Sequence, residues 1–99
     1  MDPTPEQVGV IEAWLRATFP GTHVASDGDF DREVQLFRAR TNDNPSQAYE
    51  LEISYLAFED HPNAGEILAV LEKRRAADQM RADPHYRFFL DRDLVLGVV

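Results

Sequence analysis

Residues 49–55 read Tyr49-Glu50-Leu51-Glu52-Ile53-Ser54-Tyr55. Apolar and polar side chains alternate there without a break. A period of two specifies a β-strand with one face in a core, because successive side chains leave a strand on opposite sides. A half-buried strand of this kind belongs to an antiparallel sheet with one open face. The chain must therefore supply neighbouring strands and helices to cover the apolar side. Glu50 and Glu52 share the other face, about 7 Å apart, and are expected to be a solvated strand surface. Beyond Ser54 the period breaks, and Tyr55-Leu56-Ala57-Phe58 either continues the strand or forms a helical turn capped by Ser54.

The covering helices are signposted. Thr4, Pro5 and Gln7 form a capping box with proline in the first helical position. Val8, Ile11, Leu15 and Phe19 follow at helical spacing. Val10 and Trp14 flank that stripe, Glu12 and Arg16 are spaced as an i,i+4 pair, and Phe19-Pro20-Gly21 ends the helix. A second long helix is expected to start near Asp60 to Asn63 and to end at Asp83-Pro84. Its stripe of Ala64, Ile67, Leu68 and Leu71 weakens after Leu71, where Arg74 falls on the continuation.

The remaining strands are less regular. Asp27-Gly28 has the signature of a two-residue hairpin turn, whose central residues need positive φ. It would join a short strand from His23 to Ser26 to a return strand from Phe30 to Thr41. In the return strand Val34 and Leu36 share one face while Phe37 and Ala39 fall on the other. A bulge near Leu36 or a sheet covered on both faces would account for that. Asn42-Asp43-Asn44-Pro45-Ser46 reads as a loop. Tyr86 to Leu90 and Leu94 to Val99 read as final strands. With Tyr86, Phe88 and Leu90 inward, Phe89 points outward and awaits a cover. The expected fold is α+β: an antiparallel sheet of three to five strands with two helices on one face, in the order α-β-β-β-α-β(-β), forming a single domain over residues 1–99.

The first five elements share the order of double-stranded-RNA-binding domains. Those domains need basic residues at the start of the second helix to meet phosphates. Here that stretch is Asp60-His61-Pro62-Asn63-Ala64-Gly65-Glu66, acidic and without lysine, so the resemblance ends at element order.

Charge narrows the partners. Eighteen Asp and Glu stand against ten Lys and Arg, a net charge of −8, which repels phosphate backbones and anionic lipid. Direct nucleic-acid binding is not expected, and a basic protein partner is permitted. The chain has no cysteine, which excludes disulfides and thiolate chemistry and favours a reducing, cytoplasmic setting. The N-terminus lacks the basic start and apolar run of a signal peptide, and no apolar stretch is long enough to span a membrane.

No residue cluster has the spacing of a catalytic or cofactor site. Asp27, Asp29 and Asp31 with Glu33 suggest a cation loop, but the positions an EF-hand would give to glycine and glutamate hold Arg32 and Arg38. His23, His61 and His85 have no metal-ligand spacing. Asp60-His61 lacks a nucleophile. The five glycines are scattered rather than gathered in a phosphate loop. Lys73, Arg74, Arg75 and Arg81 suit a helix C-terminus. No enzyme activity, cofactor or metal is expected. The expected role is a protein-binding module of the inhibitor or immunity type, with Asp27, Asp29, Asp31, Glu33, Glu50, Glu52 and Phe89 as the partner-binding residues. The alternatives are a homodimer sealed by Phe89 and the C-terminal strand, and a small metal-dependent enzyme.

Overall fold

The computed structural model describes residues 2–42 and 48–99. Helix α1 (Pro5–Thr18) opens the chain. Thr4 and Gln7 form the expected capping box, the Thr4 hydroxyl accepting from Gln7 N–H and the Gln7 side chain accepting from Thr4 N–H. A meander of β1 (Thr22–Asp29), β2 (Val34–Thr41) and β3 (Ala48–Ser54) follows. Three helices then cross over: α2 (Tyr55–Asp60), α3 (Ala64–Lys73) and α4 (Ala76–Ala82). Strands β4 (Arg87–Leu90) and β5 (Leu96–Val98) complete the sheet, whose order is β1-β2-β3-β4-β5. The loop expected at 42–46 lies, beyond Asn42, outside the described residues.

The α+β class and the open sheet stand as expected, with two refinements. The sheet is mixed: β3 and β4 run parallel, while the other three pairings are antiparallel. The long segment from Tyr55 to Ala82 makes this possible, because parallel neighbours need a crossover of a dozen residues or more. The expected second helix is also two helices, α3 and α4, and Tyr55 to Phe58 takes the helical of its two expected forms as part of α2. Ser54 caps α2, its hydroxyl accepting from Leu56 N–H, and Asn63 caps α3 through Gly65 N–H. Arg75 then takes a left-handed conformation (φ 54°) between α3 and α4. That turn resets the helical phase, so that Ala76 and Met80 bury in the same core as Ile67 and Leu71. The weakening of the stripe after Leu71 marks this break.

One face of the sheet carries the helices. Phe37, Ala39, Leu51, Ile53, Phe88 and Leu90 from the strands meet Ile11 and Leu15 of α1, Phe58 of α2, and Ile67, Leu71 and Met80 of the later helices. Arg81 ties the last helix to the first. It donates to the Thr18 carbonyl at 2.8 Å, at the negative end of α1, and lies over the Phe19 ring. Phe19 in turn stacks on Tyr49 at 4.2 Å between centroids. Tyr86, expected to point inward, is instead exposed just before β4.

The β1–β2 connection also differs from the expected turn. Strand β1 runs through Asp27 and Gly28, which pair with Leu36 and Gln35, and residues 30–33 make the turn. Glu33 supplies the positive φ, at 54°. The pairing of β2 is continuous on both sides, so no bulge accounts for Phe37 and Ala39. These two face the helices, while Leu36 lies on the other face. Gly28 has a different reason to be glycine: a Cβ there would come within 2.6 Å of the Tyr55 hydroxyl. The requirement is for space, not for a left-handed backbone.

Candidate functional site

Residues opposite one another in a sheet share a face, so the register lays out the helix-free side in rows. One row runs Ala25, Arg38, Glu50, Arg87. The next runs Asp27, Leu36, Glu52, Phe89, Gly97. Both glutamates of β3 are therefore flanked by strands, and both are ion-paired.

Glu52 is only 1% exposed, a correction to the expected solvated strand face. Arg32, reaching over from the turn, grips it with two parallel hydrogen bonds of 2.7 and 2.8 Å. Arg87 adds a third at 3.0 Å. Arg87 also reaches Glu50 at 3.1 Å, and Arg38 donates to Glu50 from its Nε at 3.0 Å and its Nη2 at 2.9 Å. The five side chains form one chain of charge, Arg38–Glu50–Arg87–Glu52–Arg32. Fork-to-fork geometry makes such bonds directional as well as strong. The hydrogen bond and charge of Glu52 raise the Arg32 guanidinium above its ordinary pKa. Both carboxylates being held in this way, neither is disposed as a free general acid or base.

The other acidic candidates gather at the end of the β1–β2 hairpin. Asp27 and Asp31 are exposed. Asp29 accepts from the Arg32 backbone N–H at 3.2 Å and so shapes the turn. Glu33 is exposed, and its carbonyl accepts from Tyr55 N–H. Burial raises the Tyr55 hydroxyl pKa, and the charges of Asp2, Asp29 and Glu33 push it further the same way. Phe30 stands among them, 67% exposed, with its ring edge-on to Tyr55 at 6.2 Å. A shallow depression of about 420 Å³ lies behind this tip, lined by Asp27, Phe30, Leu36, Glu52 and Arg87 among others. Phe89 lies farther along the same face, half-buried, beside a second depression of about 250 Å³ formed with Val95, Gly97 and Val99.

The structure thus divides the candidate residues into two groups. Asp27, Asp29, Asp31 and Glu33 come together at the hairpin end, whereas Glu50, Glu52 and Phe89 belong to the middle of the open face. Sequence reasoning missed Arg32, Arg38 and Arg87 as countercharges and Phe30 as an exposed aromatic. Only Arg38 carried a readable signal, since a hairpin register between β2 and β3 puts it opposite Glu50. Elsewhere, Asp60 is bonded by Arg92 at 2.7 Å, which lowers its carboxyl pKa. Among the described residues no three His, Asp or Glu side chains are placed to hold a metal ion, and no helix is long and apolar enough to cross a membrane.

No family model matches the chain, no curated protein matches it, and no solved structure matches it.

Proposed function

We propose that the chain is a non-enzymatic protein-binding module that docks the acidic end of its β1–β2 hairpin on a basic surface of another protein. The observation that carries this reading is the company Phe30 keeps: an aromatic ring two-thirds exposed, set among Asp27, Asp29, Asp31 and Glu33. An aromatic anchor inside a ring of like charge suits a partner rich in Lys and Arg, whose cations pair with the carboxylates and stack on the ring. The net charge of −8 steers such a partner in and repels nucleic acid. An inhibitor or immunity-type role follows, in which carboxylates stand where phosphates otherwise sit in a nucleic-acid-handling cleft. Glu50 and Glu52 are not part of this surface, because Arg32, Arg38 and Arg87 already neutralise them.

The test is a capture experiment with the chain as bait, followed by calorimetry on the purified partner. A basic partner should lose affinity at least tenfold with Phe30→Ala or with the charge reversals Asp27→Lys and Asp31→Lys, and more weakly in molar salt. A partner that binds those variants as well as the natural chain rules the reading out.

A second reading, self-association through the C-terminal strand, is favoured by one separate observation. Val95, Val98 and Val99 are 50–62% exposed on an edge of the sheet whose side chains are uncharged.

A further inference from the structure

We infer that two copies of the chain join their sheets through β5, in an antiparallel pair centred on Gly97; this rests on the self-association reading and adds its register. Strand β5 is an edge, and its free hydrogen-bonding groups can be assigned. Val99 N–H donates to the Arg87 carbonyl, and Asp91 N–H donates to the Val95 carbonyl. In an antiparallel ladder the bonding direction alternates along the strand. Residues 95, 97 and 99 therefore bond inward to β4. The N–H and C=O of Leu96 and Val98 point away from the sheet.

A second copy matches these groups. In an antiparallel pair with its two-fold axis at Gly97, Leu96 of each copy lies opposite Val98 of the other. Their outward N–H and C=O groups then form four new hydrogen bonds. Val95 lies opposite Val99 on the helix-free face, beside Phe89. The segment Val95-Leu96-Gly97-Val98-Val99 is thus self-complementary about its centre, as an isologous contact requires. Gly97 falls at the non-bonded site of the pair, where Cα atoms approach to about 4.5 Å.

Charge selects this edge over the other. Strand β1 carries Asp27 and Asp29, with Asp31 just beyond, so two β1 edges would set carboxylates against carboxylates. A β1–β5 contact would bury those carboxylates against valine. From Leu94 to Val99 there is no charged side chain. Five paired residues bury on the order of a few hundred Å² per copy, below the roughly 800 Å² of a standard interface. The expected dimer is accordingly one of micromolar or weaker affinity.

The chain has no cysteine, which makes a covalent readout direct. A Cβ at Gly97 meets nothing within 4 Å, so Gly97→Cys is sterically accepted, and the Cα spacing about the axis suits a disulfide. Mild oxidation of Gly97→Cys should give a covalent dimer, while Val95→Cys alone should not link to itself. Adding Val98→Pro, which removes an outward N–H but no bond to β4, should abolish the link with the circular dichroism spectrum unchanged. Sedimentation of the natural chain should show a monomer–dimer equilibrium that molar salt leaves intact. A dimer that survives Val98→Pro, or that links through Val95→Cys alone, overturns the register but keeps self-association. A chain that stays monomeric at millimolar concentration overturns both, and leaves the edge to an extended segment of a different protein.

Discussion

Leu51 and Glu52 are neighbours on one strand and are equally closed to water, at 0% and 1% exposure. They reach that state by different physics. Leu51 is covered by helices, and its burial is favourable in itself, by roughly 2 kcal/mol for a side chain of its size. Glu52 is covered by the arginines that neutralise it, and its burial holds only while they do. The helix side of the sheet therefore supplies stability, and the open side supplies a shaped, ion-paired surface. Buried ion pairs are weak contributors to net stability, yet costly to break on one side.

The largest test of this contrast is Phe37→Ala on the helix side. Phe37 is fully buried, and its truncation should cost about 3–5 kcal/mol by chemical denaturation. The loss should be the same at low and high salt. Glu52→Gln comes next, at about 2 kcal/mol, because it strips the ion from two arginines that can still turn partly to water. Its deficit should shrink in molar salt, where the surviving charges are screened. Equal salt dependence in the two variants would dissolve the distinction between the faces.

A smaller effect probes the end of the sheet where the two sides meet. Gly28→Ala drives a methyl group against the Tyr55 hydroxyl and should cost about 1–2 kcal/mol. Tyr55→Phe removes the offending oxygen, so the double variant should recover most of that loss. Failure of the rescue would assign Gly28 to some other constraint.

The smallest effect belongs to the same ion-pair chemistry without burial. Arg92 lowers the Asp60 pKa from its ordinary 3.8. A depressed carboxyl favours the folded state above its unfolded value and loses that contribution as pH falls through the folded one. Melting temperatures of the natural chain should therefore fall more steeply than those of Asp60→Asn as pH drops below about 4. Parallel curves would leave the Arg92 contact without energetic weight.

What the sequence disclosed follows how far each determinant lies from its target. The start of α1 was legible because Thr4, Pro5 and Gln7 act within one turn. Strand β3 was legible because its period is local. The Asp27-Gly28 turn was misplaced because the real cause of the glycine, the Tyr55 hydroxyl, lies in another element. Glu52 read as solvated because its arginines stand 20 and 35 positions away. The break at Arg75 carried neither glycine nor proline, and its one trace in the sequence was the weakening of the apolar stripe after Leu71. The gathering of carboxylates at residues 27–33 was plain in the sequence. The exposure of Phe30 was not, since an aromatic in a strand pattern is read as core by default.

The parallel pairing of β3 with β4 also bears on how the chain acquires its structure. Strands β1, β2 and β3 are neighbours in sequence and can associate early, whereas Glu50 meets Arg87 across 37 positions. Contacts that close long loops form late. During synthesis, then, β3 spends an interval as a bare edge, with Leu51 and Ile53 on one side and two carboxylates on the other. Charge on an exposed edge strand is a known deterrent to edge-to-edge aggregation. Glu50 and Glu52, which Arg38 and Arg32 of the same meander can already engage, would thus serve the growing chain as gatekeepers, until Arg87 binds both and ties β4 to β3.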